Sequence, residues 1–133
     1  MHLIRRITTT GATLAATGAV LVTAVPSAHA ATGLASLRQG SSGLGVACAQ
    51  WTENIFLQPQ TPLAVDGDFG PATYRATVQY QGENGLAQDG IIGPHTGDSI
   101  TSFINSALKN FGDAQIWNGH SLSECYGAVP TSS

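Results

Sequence analysis

The segment VDGDFGPAT occupies residues 65–73, and QDGIIGPHT follows at 88–96. Both carry the pattern Asp-Gly-x-apolar-Gly-Pro-x-Thr, repeated with a 23-residue offset. Each copy reads as a device that launches a helix. Asp66-Gly67 and Asp89-Gly90 are turn dipeptides, in which glycine takes a positive φ and aspartate bonds a nearby amide. Gly70 is placed as an N-cap and Pro71 at the first helical position, where a missing amide costs nothing and the fixed φ already suits a helix. Gly93 and Pro94 repeat the arrangement. Thr73 and Thr96 fall in the first turns, while Phe69 and Ile92 stand between turn and cap as apolar plugs for a core.

Three helices follow from that punctuation. Upstream, LGVACAQWTENIFL at 44–57 has no glycine or proline after Gly45 and length enough for about three turns. Its apolar residues are spread around the helix. QPQTP at 58–62 then forces a loop, because proline removes an amide donor and biases its predecessor away from helical angles. A second helix is predicted from Pro71 to Asn84, with Thr73, Ala76, Thr77 and Tyr80 on one face and Gly85 as its stop. The third carries the clearest periodicity, through Ile100, Phe103, Ile104, Ala107, Leu108 and Phe111, and ends at Gly112. Residues 113–133 read as a tail.

The aspartates also invite a metal reading, since DGDFG has the look of the start of a calcium loop. Such a loop closes with a glutamate at its twelfth position, which counted from Asp66 is Thr77. Acid–base work on a substrate bond needs two converging carboxylates, and a turn-and-cap role accounts for both aspartates without it. No metal site is expected. The histidines beyond residue 30 are His95 and His120, without the close ligand spacing of a zinc site. No G-x-S-x-G elbow occurs, and no catalytic residue or cofactor is expected.

Residues 1–30 read as an export signal: Arg5 and Arg6, a weakly apolar stretch to Val25, and SAHA at 27–30 as a cleavage site. The stretch is interrupted by Thr, Gly and Pro26, short of the ~20 apolar residues of a membrane span. Removal leaves roughly a hundred residues, enough for one domain. The expected division is 31–36 linker, 37–111 three-helix domain and 112–133 tail. The full chain has 5 Lys and Arg against 8 Asp and Glu, net −3, and two of the cations lie in the leader. That balance argues against nucleic acid or an anionic membrane as partner. Two cysteines in an exported chain most simply pair, so Cys48 and Cys125 are expected to fasten the tail to the first helix.

LRQGSSGLGVACAQ together with LAVDGDFGPATYRATVQYQGENGLAQDGIIGPHTGDSI resembles the peptidoglycan-binding domain family, a small three-helix module attached to many cell-wall hydrolases. Val46, Gln50, Asp66 to Thr73, Ala76, Tyr80, Gln81, Gly85, Leu86 and Asp89 to Thr96 carry the likeness. The resemblance implies an all-α, compact three-helix bundle and a non-catalytic protein, secreted and wall-associated, that binds peptidoglycan. The sequence departs from the family pattern at Ala49 and Glu53, which stand in place of leucines, and at Gly97, which stands in place of an aromatic. Either helix one packs in a shifted register through Trp51 and Ile55, or its core is thinner at the first two.

Rings that stack on sugars and amides that bond hydroxyl and peptide groups are what such a binder needs. Gln50, Trp51, Tyr74, Arg75, Tyr80 and Gln81 are therefore the candidate ligand residues, with Trp117 and Tyr126 as further aromatics. Arg75 suits a peptide-stem carboxylate. The alternative function is that of a secreted interaction protein, which keeps the fold and binds a protein such as a wall hydrolase, an option the missing aromatic at Gly97 favours.

Overall fold

A computed structural model describes residues 33–133, so the export signal expected over 1–30 lies outside the described residues. Three helices, α1 (Leu44–Leu57), α2 (Pro71–Glu83) and α3 (Pro94–Phe111), form the body. Gly70 and Gly93 cap α2 and α3 in extended conformation, with no side-chain bond from either cap. The prolines that follow therefore carry the helix start by their fixed φ. Gly85, at φ 67°, carries the chain away beyond α2.

The lead-in to α1 binds both turns. Leu37 and Ile92 exchange backbone hydrogen bonds of 3.0 and 2.8 Å, Gly40 N–H donates to Phe69 O at 3.0 Å, and Gly43 N–H donates to Gly67 O at 2.8 Å. Phe69 and Ile92 are thereby held with their side chains buried in one core with Val46, Ala49, Tyr80, Ile100 and Ile104. Phe56 packs edge-on against Tyr80 and Phe103, at ring separations of 5.0 and 5.7 Å.

Helix α1 keeps the register that buries Ala49 and Glu53 and leaves Ile55 exposed. Trp51 is half-buried beside Phe103 at 6.4 Å. The shifted packing through Ile55 does not occur, because Glu53 is accepted into the α1–α2 interface by a hydrogen bond from Thr77.

Residues 113–133 are more ordered than an irregular tail. Strands β1 (Gln115–Trp117) and β2 (His120–Ser121) form an antiparallel hairpin, followed by a 3₁₀ helix over Leu122–Gly127. Asn118 and Gly119 both take positive φ, 44° and 82°, as a tight hairpin turn requires. Ser121 and Glu124 then build a reciprocal capping box, with Ser121 N–H donating to Glu124 Oε2 at 2.7 Å.

Cys48 and Cys125 are joined, with Cα atoms 5.8 Å apart across 77 positions of sequence. Val129 is fully buried, and the backbone around it crosses two helical glycines. A Cβ on Gly45 would meet Ala128 O at 2.3 Å, and one on Gly97 would meet Pro130 O at 1.6 Å. The position where the family resemblance leads one to expect an aromatic is thus occupied by the chain's own C-terminal segment. Asp98 holds that segment through the N–H and hydroxyl of Ser132.

Candidate functional site

Two buried glutamines explain how the repeated turns acquire a fixed shape. Gln50 Nε2 donates to Asp66 Oδ1 at 2.9 Å, Asp68 O at 3.0 Å and Thr73 Oγ1 at 3.0 Å. Its Oε1 accepts from the N–H groups of Asp66 and Gly67 at 3.1 and 3.0 Å. Gln81 repeats the pattern one copy later: Nε2 donates to Asp89 Oδ1, Ile91 O and Thr96 Oγ1 at 3.0, 2.9 and 3.1 Å, and Oε1 accepts from Gly90 N–H at 2.9 Å. Each aspartate closes its own turn as well, accepting from the N–H two residues on, Asp68 or Ile91, at 2.9 Å. That backbone donor, followed by the Gln50 amide, lowers the pKa of Asp66 and keeps it ionised.

An aromatic ring lies on the glycine of each turn. A Cβ on Gly67 would stand 2.6 Å from the Trp117 ring, and one on Gly90 would stand 2.1 Å from that of Tyr74. Trp117 in turn stacks on His120, with ring centroids 6.0 Å apart.

These contacts sort the candidate ligand residues. Gln50, Tyr80 and Gln81 are at most 1% exposed, and the glutamine amides are occupied by the turns. The Tyr80 hydroxyl meets Ser99 Oγ at 2.9 Å, and burial raises its pKa. These three residues are therefore withdrawn from the surface, the glutamines to lock the two turns and Tyr80 to fill the core. Trp51 is half-buried against α3. Tyr74 and Arg75, adjacent near the start of α2, are exposed.

Beside Arg75 the structure opens a cavity of about 520 Å³ between the end of α1, the loop 58–64 and α2. Asn54 anchors the loop by donating to Leu63 O at 2.9 Å and accepting from Leu63 N–H at 2.7 Å. Glu53 lines the cavity while only 1% exposed. Thr77 Oγ1 donates to its Oε1 at 2.7 Å, and Oε2 has no partner. Burial pushes its pKa up to about 8, against the smaller opposing effect of the Thr77 bond, so the carboxyl is mainly protonated at neutral pH.

Sequence reasoning passed over Glu53, Asn54 and the loop as site residues. One signal was available: Glu53 lies seven positions after Val46 and four after Ala49, on the stripe that α1 turns inward. Among the described residues, no group of three or more His, Cys, Asp or Glu is placed to hold a metal ion, and no helix is long and apolar enough to cross a membrane.

Residues 55–100 match a family model described as "Putative peptidoglycan binding domain". That span begins near the end of α1, contains both turns and all of α2, and stops within α3. The chain is also similar to a zinc D-Ala-D-Ala carboxypeptidase of Streptomyces albus G, 36% identical over 96 residues, which cover 66% of this chain and 38% of that enzyme. No solved structure matches significantly.

Proposed function

We propose that this chain, which belongs to the peptidoglycan-binding domain family, is a wall-targeting protein that holds peptidoglycan reversibly and performs no chemistry on it. The observation that carries this reading is the face of α2 beside the first turn. There Arg75 stands exposed on a helix whose start is locked by Gln50, and the cavity opens beside it. A cation and a preformed concavity on a rigid frame suit a polymer that carries short peptides.

The catalytic part of the carboxypeptidase lies outside the segment this chain matches, and the chain spans under two-fifths of that enzyme's length. The likeness therefore supports a binding role. Both cysteines are joined in the disulfide, which leaves no thiol for covalent chemistry. Export through the segment 1–30 would place the protein where its polymer is.

The test is co-sedimentation of the oxidised protein with insoluble purified peptidoglycan. The reading expects the protein in the pellet at low salt, with release on washing in excess soluble fragments. Folded protein that stays wholly in the supernatant refutes it, and steady liberation of soluble fragments would show an enzyme instead.

A further inference from the structure

The chain holds four Asx-Gly pairs: Asp66-Gly67, Asn84-Gly85, Asp89-Gly90 and Asn118-Gly119. Such pairs share one spontaneous chemistry, in which the glycine nitrogen, unhindered by a side chain, attacks the preceding side-chain carbonyl carbon and closes a succinimide ring. The reaction needs a free nitrogen, a free side chain and a turn that can open.

Three of the pairs are held shut. Gly67 N–H donates to Gln50 Oε1 at 3.0 Å and Gly90 N–H to Gln81 Oε1 at 2.9 Å. Oδ1 of each aspartate is taken by the same glutamine's amide and by the N–H two residues on. Gly85 N–H donates to Gly82 O at 3.2 Å, and the Asn84 amide is tied to Tyr80 O at 2.8 Å and to Ser99 Oγ at 3.3 Å.

Asn118-Gly119 differs on every count. Both residues are exposed, and among the described residues no hydrogen bond engages the Asn118 side chain or the Gly119 N–H. Open space lies where a Cβ of Gly119 would stand. The pair forms the hairpin turn, at φ 44° and 82°, so ring closure requires that turn to open. The ladder behind it is three residues against two, with an irregular register between Gln115 and Trp117, and an exposed end of this kind opens at little cost.

We propose that Asn118 is a spontaneous modification site, at which Gly119 N displaces the side-chain amide and the hairpin turn ages from asparagine to aspartate and isoaspartate. The bond from Gly119 N to Asn118 Cγ forms, the Cγ–Nδ2 bond breaks, and Nδ2 leaves as ammonia with the proton from Gly119. Water then opens the ring. Attack at the former side-chain carbonyl gives aspartate, and attack at the main-chain carbonyl gives isoaspartate, whose backbone runs through the former side chain and is longer by a carbon. Both products add a negative charge, but only isoaspartate lengthens the turn. Trp117 stands immediately before it, pairs with His120 and lies on Gly67, so the longer turn pulls this ring from the first Asp-Gly turn.

The experiment incubates the full oxidised chain, folded at neutral pH, and maps its peptides by mass at intervals, with isoaspartyl methyltransferase to count isoaspartate. Asn118 should convert at least about tenfold faster than Asn84, whose side-chain hydrogen bonds must open first, and Asp66 and Asp89 should not isomerise. Release of ammonia should match the conversion at Asn118. The indole N–H signal of Trp117 should shift in the isoaspartyl fraction and stay in place in Asn118→Asp, which carries the charge without the extra carbon. If Asn84 converts as fast as Asn118, or if Asn118 survives in the folded chain while the reduced, urea-unfolded chain converts there, the assignment is overturned. An unchanged Trp117 signal in the isoaspartyl fraction would overturn the coupling to the first turn.

Discussion

Thr77 on α2 donates its hydroxyl hydrogen to Oε1 of Glu53 on α1 at 2.7 Å, and this bond leaves Oε2 buried without a partner. It also compensates only part of the burial, which is why the carboxyl holds its proton to about pH 8. The other ionisable groups near it are Tyr80, whose raised pKa owes part of its shift to Glu53, and Arg75 on the cavity lining.

The first prediction is a stability profile that falls toward alkaline pH. A carboxyl whose pKa is about 8 folded and 4.5 as a model group binds more protons in the native state between those values. Stability is then greatest below the lower value and declines as pH rises toward the upper, by roughly 1.4 kcal/mol per unit at most. Asp66 and Asp98, with lowered pKa values, act in the opposite sense and lose their contributions on acidification. Urea midpoints measured from pH 3 to 9 should therefore peak near pH 5. In Glu53→Gln the alkaline decline should disappear, and a parent profile flat from pH 5 to 8 would exclude the buried proton.

The second prediction concerns the glutamine locks. Gln50→Leu leaves the Asp66 and Gly67 N–H groups and the Asp68 carbonyl without their side-chain partner, and Gln81→Leu does the same to Gly90 and Ile91. Each substitution should cost about 2–4 kcal/mol, given about 1–3 kcal/mol for a buried orphan. Gln50→Glu should be damaging at neutral pH as well, since an ionised carboxylate can accept from the two N–H groups but not donate to Asp66, Asp68 and Thr73. Denaturant titration of the three variants is the check. A cost under about 0.5 kcal/mol for Gln50→Leu, the level of an ordinary surface change, would mean that the turn holds itself.

Which parts of this arrangement are legible in the sequence follows from how local the causes are. Gly-Pro starts and the glycines that end α2 and α3 act within a few residues, and the three helices stand where that punctuation puts them. The hairpin was equally readable from Asn118-Gly119, and the 3₁₀ helix from Ser121 with Glu124 three residues later. The glutamine roles were not readable in this way. An amide on a helix suits a sugar hydroxyl as well as a turn, and what settles it is the docking of each helix on a turn 16 positions away for Gln50 and 8 for Gln81. The cavity is less legible still, because it is space left by a loop, and only the misplaced polarity of Glu53 in an apolar stripe hints at it.

The third prediction is that reduction loosens the tail before the bundle. Closing 77 positions stabilises the fold by about 4.5 kcal/mol in the chain-entropy account. Reduction should lower Tm by well over ten degrees in a domain of this size. Amide exchange should accelerate first in Leu122–Val129, with the α1–α2 interface following only on global unfolding. Simultaneous loss of protection in both would show that the tail is integral to the bundle.

The fourth prediction reverses sign with the tail. Gly97 is helical, and alanine is ordinarily better there by about 1 kcal/mol. In this chain the added Cβ would lie 1.6 Å from Pro130 O and 2.8 Å from its carbonyl carbon, contacts that only displacement of the segment relieves. Gly97→Ala should therefore destabilise the full chain by roughly 1–3 kcal/mol, the usual cost of overpacking, and free Val129 from the core. In a chain ending at Gly127 the same substitution meets no Pro130 and should stabilise by up to about 1 kcal/mol. Measuring both pairs separates helix propensity from tail docking. A substitution that costs the same in both backgrounds would place the strain within α3 and remove Pro130 as its cause.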